Sequence, residues 1–220
     1  MTGELVGIQV GTVQRLVMPE NARVDFQHPF WTSGIFKTAM EGAVRVTKER
    51  IEGDQQADPR FHGGPDNVVL AYDADHYPVW REELGMPELA YGGFGENFTV
   101  RGFSDDTVCI GDVWRVGPEL MLQVTQSRQP CFKLARRLRQ PNIVKRVHET
   151  SWGGWYLRVL KEGTAEAGMK IERVEQLYPK WTVAAAVQTM YARKSDEEAA
   201  RELAGLEELS ARWKAELQED

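Results

Sequence analysis

The chain has 220 residues, with 27 Lys or Arg against 33 Asp or Glu and a formal net charge of −6. That length can bury a sizeable core, while the acidic balance argues against broad nucleic-acid binding, which needs an extended basic surface. No apolar run is long enough to span a membrane, and Met1 to Val10 lacks the basic and apolar regions of a signal peptide. Two cysteines without framework spacing point to a reducing compartment, so the expected location is cytoplasmic.

In chain order, short runs of β-branched and aromatic residues predict strands at Val6 to Val17, Ala43 to Val46 and Val68 to Tyr72. Asp73 to Leu84 reads as a helix that stops at Gly85 and Pro87. Further strands are predicted at Phe98 to Val100, Thr107 to Ile110, Val113 to Val116 and Leu120 to Gln126. Phe132 to Leu138 reads as helical, with Leu134, Ala135 and Leu138 on one face, and Trp155 to Lys161 fits helix or strand equally. Many short strands punctuated by turns predict a mainly β fold with a few helices, a barrel or sandwich rather than a parallel α/β sheet. After Pro179 the pattern turns helical. Thr182 to Tyr191 is Ala-rich, and Ser195 to Glu198 has the form of a capping box. Leu206, Leu209, Trp213 and Leu217 then recur at helical spacing. This tail carries nine acidic and five basic residues from Trp181 onward. It can pack on the barrel through its apolar stripe or dock a basic partner through its acidic face.

The segment from Leu120 to His148 has no Asp or Glu but holds Arg128, Lys133, Arg136, Arg137, Arg139, Lys145 and Arg146. Cys131 therefore lies in the most electropositive part of an acidic chain. It falls where a strand hands over to a helix, with Pro130 suited to the helix's first turn. Nearby cations and a helix N-terminus both favour a thiolate, the reactive and metal-ligating form. A buried core thiol is the competing reading. Cys109, in the apolar run Val108-Cys109-Ile110, reads as core.

Two glycine-rich loops carry polar groups. Gly53 to Asp58 leads to His62-Gly63-Gly64-Pro65-Asp66, and Tyr91 to Val100 contains Gly92-Gly93-Phe94-Gly95-Glu96-Asn97. His62 can serve as a titratable site group or as a turn residue, and Asn97 can pair with a heterocycle edge or cap a turn. Neither loop has dinucleotide or phosphate-loop spacing. His28, His62, His76 and His148 show no metal-ligand spacing, and His76 shares a helix face with Trp80 as a packing residue. Arg158, beside Trp155 and Tyr156, can face an anion or sit in a salt bridge.

Together these motifs resemble the MOSC domain, the C-terminal module of molybdenum cofactor sulfurases, in its short YiiM-like branch. The match is carried by Ser33-Gly34-Ile35-Phe36-Lys37, Gly53-Asp54-Gln55, His62-Gly63-Gly64, Gly95-Glu96-Asn97-Phe98, Gly111-Asp112, Arg128-Gln129-Pro130-Cys131 and Gly154 to Leu160, and extends to about Gly168. The tail resembles the three-helix extension of that branch. The resemblance implies a β-barrel-like MOSC domain over residues 1–178 and a helical extension over 179–220.

It also implies a molybdenum cofactor, with Cys131 as the metal's protein ligand. Lys37 and Arg128 are the expected phosphate contacts, and His62, Asn97 and Ser127 the expected pterin or metal-shell contacts. The implied activity is reduction of N-hydroxylated bases, amidoximes and hydroxylamines, with His62 as proton donor and a separate flavin-type reductase supplying electrons. A cofactor or sulfur carrier using Cys131 without turnover is the rival from another class. RNA binding through Lys133 to Arg146 is disfavoured by the overall charge. The oligomeric state stays open, a homodimer included.

Overall fold

A computed structural model describes residues 1–17, 30–58 and 63–219. The described strands are β1 (Thr2–Val10), β2 (Gln14–Val17), β3 (Phe30–Ser33), β4 (Thr38–Ala39), β5 (Val44–Val46), β6 (Val69–Asp73), β7 (Phe98–Arg101), β8 (Val113–Val116), β9 (Leu120–Ser127), β10 (Trp155–Lys161), β11 (Gly163–Ala165) and β12 (Lys170–Glu175). The described helices are α1 (His76–Glu83), α2 (Phe132–Leu138), α3 (Ile143–Thr150), α4 (Val183–Ala192), α5 (Glu197–Ala204) and α6 (Ala211–Gln218).

Seven strands close into a barrel in the order β12-β8-β9-β10-β6-β7-β1, and β1 pairs back onto β12. β1 makes this closure by dividing its length. Thr2 to Glu4 pair with β12, Glu4 to Ile8 with β7, and Gln9 and Val10 with β4. Closure removes the unpaired edges that an open sheet would expose. Within the sheet β6 and β7 run parallel, joined by a crossover that contains α1.

Alternation along the strands fills the interior. In β10, Trp155, Leu157 and Val159 are buried while Tyr156, Arg158 and Leu160 are less so. That period of two makes Trp155 to Lys161 a strand. The long strand expected at Val6 to Val17 is interrupted after Val10. Gly11 passes so close to the next loop that a Cβ there would lie 2.7 Å from the Gly34 carbonyl oxygen. Thr107 to Ile110 is not a strand but a buried turn, in which the Asp112 carboxylate accepts the Cys109 amide at 3.0 Å. Its strand-like pairing is limited to a single antiparallel bridge between Cys109 and Thr182, and Cys109 is 1% exposed.

The tail forms three capped helices. Thr182 accepts from the Ala185 amide and Ser210 from the Trp213 amide, each at 3.1 Å. The cap of α5 is Asp196, whose carboxylate accepts from the Ala199 amide at 3.1 Å, one residue later than the capping box predicts. Ser195 instead donates to the Ala192 carbonyl, closing the preceding turn. Met190, Leu203, Leu206, Leu209, Trp213 and Leu217 belong to the same buried cluster as the barrel residues Leu122, Val124 and Trp155. The apolar stripe is therefore a packing surface. A second cluster, including Tyr72, Tyr77, Trp80, Phe94, Leu134 and Val147, seats α1 against α2 and α3.

Truncating Trp213, which is fully buried, to Ala removes contacts shared by tail and barrel. Urea unfolding of that variant is expected to remain one transition, weakened by about 3–5 kcal/mol. Independent melting of the tail, with the barrel transition unmoved, would show two separate cores.

Candidate functional site

β9 ends at Ser127, and the next four residues lead to Cys131, the N-cap residue of α2. Two features fix that hand-over. The Arg128 amide donates to the Gly154 carbonyl at 2.9 Å, tying the segment to the start of β10. Leu134 and Leu138 anchor α2 in the second apolar cluster. Pro130 precedes the N-cap rather than occupying the first turn. Cys131 is a free, partly exposed cysteine on the wall of a cleft of about 680 Å³ that opens to solvent.

Among the described residues, the cleft wall also holds Lys37, Arg128 and Lys133 against a single carboxylate, Asp54. Asp54 and Lys37 form a buried ion pair at 2.5 Å, and the Asp54 oxygen also accepts the Gly11 amide at 2.8 Å. Burial draws the Lys37 ammonium below its ordinary pKa, with Asp54 beside it opposing the shift. Arg128 is 7% exposed, and its Nη1 has no hydrogen-bond partner among the described residues. The same holds for Asn67 Oδ1, also on the cleft wall. A buried donor and a buried acceptor left unpaired cost stability, so their survival here points to a ligand that pairs them. Tyr156 lines the cleft too. Burial raises its phenol above the ordinary range, Arg128 opposing, so the hydroxyl stays protonated at neutral pH.

The glycine loop that forms another wall is held from behind by Glu96. Its carboxylate accepts from the Tyr77 hydroxyl at 2.5 Å and from the Gly92 and Phe94 amides at 2.6 and 3.2 Å. Gly95 has φ +82°, and a Cβ there would sit 2.7 Å from the Ile35 side chain. Only glycine lets these two loops meet so closely.

The residues expected at the site divide. Cys131, Lys37 and Arg128 converge on the cleft. Asn97 reaches the wall, but its amide is already committed: Oδ1 accepts the Leu70 amide and Nδ2 donates to the Gln9 carbonyl, each at 3.2 Å. It is a structural clasp on the cleft wall, with one N–H and one oxygen lone pair used on backbone partners. Ser127 is fully buried outside the cleft lining, with Oγ donating to the Gly154 carbonyl at 3.3 Å. The strand's alternation turns it away from the cleft. His62 lies outside the described residues. Asn67 was not singled out by sequence, and Tyr156 was noted only beside Arg158 and within the family-matching run, because burial decides which polar groups reach the cleft.

The basic run is also sorted by the fold. Arg146 pairs with Glu83 and Glu149 at 2.6 Å, and Lys145 with Glu149 at 3.6 Å. Arg136 lies over Phe132 and Arg137 over Phe36. Arg158 takes the salt-bridge alternative, 3.0 Å from Asp66. Among the described residues no group of three or more His, Cys, Asp or Glu could hold a metal ion.

Residues 58–172 match the MOSC domain, more than half of the chain. The chain belongs to the MOSC domain family. Residues 181–219 match the YiiM-like 3-alpha helix domain. YiiM from Geobacillus stearothermophilus has the same fold over 98% of this chain and 97% of its own, at TM-score 0.79 and 30% identity. Protein YflK of Bacillus subtilis is 46% identical over 64% of this chain and 62% of its own length. A protein of Gibberella moniliformis named reductase is 40% identical over 69% of this chain and 27% of its own. The matched segment thus spans less than two thirds of either relative. Within this MOSC chain, Lys37 and Asp54 precede the matched residues, so part of the cleft comes from the segment leading into the domain. No helix among the described residues is long and apolar enough to cross a membrane.

Behind the cleft, His76 stacks on Trp152 at 4.0 Å and its Nε2 lies 2.8 Å from Asp105 and 3.9 Å from Asp73. The packing role expected for His76 thus carries a buried charge cluster with it. Asp105 accepts the Gly154 amide at 3.2 Å, which links the cluster to the Arg128 segment. Burial pushes Asp73 up to about 6, against the lowering pull of the Asp75 amide and His76. A carboxyl that keeps its proton in the folded state contributes less stability as pH rises from its unfolded value through its folded one. Wild type is therefore expected to lose on the order of 2 kcal/mol between pH 4 and 6 relative to Asp73→Asn. Urea titrations of both proteins at several pH values measure this, and parallel profiles would refute it.

Asn97→Asp places a carboxylate against the Gln9 carbonyl, and Asn97→Ala leaves the Leu70 amide unpaired. Each is expected to lower stability by about 1–3 kcal/mol even without any ligand, as read by thermal or urea unfolding. Unchanged stability in both variants would return Asn97 to a ligand-binding role.

Proposed function

We propose that this cleft binds the molybdenum cofactor through Cys131 and that the protein reduces N-hydroxylated compounds, with electrons from a separate flavin-type reductase. The observation that carries the reading is a partly exposed thiol facing the same space as an unpaired, buried Arg128 Nη1 and an unpaired Asn67 Oδ1. A soft thiolate suits molybdenum. Among the described residues, three cations against one carboxylate suit an anionic pterin bearing a phosphate, and Asn67 Oδ1 suits one of its N–H groups. MOSC domains are associated with this cofactor, and one relative carries the name reductase.

When bound, the cofactor supplies two-electron chemistry able to remove oxygen from an N–OH group. The chain's own task is placement and proton supply. Cys131 would hold the cofactor's metal at the start of α2, where the Arg128–Gly154 and Leu134 contacts leave the thiol's backbone little freedom. Arg128 and Lys133 hold negative charge at the wall, and the protonated Tyr156 hydroxyl offers a hydrogen bond within the cleft. His62 is assigned the proton donor's role because an imidazole titrates near neutrality.

Protein expressed in a host that makes the cofactor tests this by metal and pterin analysis. Wild type is expected to carry near-stoichiometric molybdenum and pterin. Cys131→Ala should lose the metal, and Arg128→Gln should weaken pterin retention about tenfold, the scale of one charge-assisted hydrogen bond. A hydroxylamine or amidoxime, supplied with a chemical electron donor, should be reduced by wild type alone. Molybdenum absent from wild type, or equal in Cys131→Ala, overturns the ligand assignment. Binding without turnover under any donor establishes a carrier instead.

A further inference from the structure

A second cavity adjoins the first across Lys37, a residue that lines both. It offers about 750 Å³ of space, open to solvent, between the loop that follows α1 and the end of α2. Met86, Leu89, Tyr91 and Leu138 make it largely apolar, and Arg137 supplies its second cation. Cys131 and Arg128 do not line it, so it is distinct from the cofactor cleft.

Arg137 is the cation of this cavity without an ion pair among the described residues, Lys37 being paired with Asp54. One face of its guanidinium is covered by the Phe36 ring at 4.5 Å, and its buried Nε has no hydrogen-bond partner. Among the described residues no carboxylate pairs with it, although Glu88 stands exposed on the same cavity wall. Partial burial draws its pKa down, with Tyr77 and the Glu96 carboxylate opposing from beyond ion-pair distance. Such a guanidinium costs stability unless something returns the missing charge and acceptors. Lys37 cannot recruit a second anion on equal terms, because Asp54 already neutralises it. The cavity therefore has one unmatched positive charge, and Glu88 at its wall disfavours a ligand with two negative ones.

We propose that this cavity is a binding site for a small aromatic monocarboxylate, its carboxylate held by Arg137 and its ring packed among Met86, Leu89 and Tyr91. A planar carboxylate matches the guanidinium fork, and a flat ring suits the thioether and phenol surfaces beside it. This site does not depend on the molybdenum reading. A chain that holds no metal still presents it.

The test compares indole-3-acetate with its neutral amide by titration calorimetry, on full-length wild type, Arg137→Gln and Met86→Trp. Wild type is expected to bind the carboxylate at least about tenfold tighter than the amide. Arg137→Gln should bring the two within about twofold of each other. Met86→Trp, which fills the cavity without changing charge, should abolish binding of both. Cys131→Ala should bind the carboxylate as wild type does, and Arg137→Gln should keep the wild-type content of molybdenum. No binding of the carboxylate at millimolar concentration overturns the proposal, as does equal affinity for acid and amide in wild type. Loss of the metal in Arg137→Gln would assign this arginine to the cofactor cleft and overturn it equally.

Discussion

The cleft depends on how Asn97 holds three strands together. Its amide N–H donates to the Leu70 carbonyl at 2.8 Å, and its carbonyl accepts from the Gln9 amide at 2.7 Å. Its side chain repeats both connections in the opposite sense, accepting from Leu70 and donating to Gln9. One residue at the head of β7 thereby sets the spacing of β1 and β6 on either side. Gly95 and Glu96, just before it, hold the glycine loop on the cleft wall, while Gly11, just after Gln9, delivers its amide to Asp54. An asparagine suits this position because it alone among short side chains offers both a donor and an acceptor from one planar group.

Around that frame the charges are sorted by burial. An acidic chain places a cationic cleft at its longest stretch without carboxylates, and tertiary contacts decide which cations remain available. Arg146 and Lys145 are consumed by Glu83 and Glu149 on the helical surface, and Arg158 by Asp66. Arg128 and Arg137 keep buried nitrogens unpaired, each beside a cavity. The contrast matters because an exposed ion pair is worth little, whereas a buried unpaired guanidinium is costly enough to demand a partner.

The helical tail reaches the same region through a short polar chain. Asp66 receives Arg158 and the Ala211 amide, and Arg158 also donates to the Glu208 carbonyl at 2.8 Å. Asn67 follows Asp66 directly, so contacts made by α6 and its approach help to fix a group on the cleft wall. The tail shares its apolar core with the barrel. Its acidic residues lie on the outer side, several of them paired with Lys180, Arg201 or Arg212.

From sequence alone, the mainly β class, the helical tail, the cationic segment and Cys131 at a strand-to-helix junction could all be read. Each rests on local signals: short β-branched runs, period-four apolar spacing, and a charge asymmetry that needs no fold to be seen. The motifs also named the family. What only the tertiary structure decided is which polar groups are spoken for. Asn97 and Ser127 are chemically suited to bind a cofactor, yet strand pairing and burial commit them to backbone partners. Thr107 to Ile110 looked like a strand because buried turns and strands are equally apolar. Asn67 and Tyr156 entered the site, and Arg137 acquired its cavity, through contacts between segments distant in the chain. A side chain's type sets what it can bind, but its availability depends on neighbours that sequence order does not reveal.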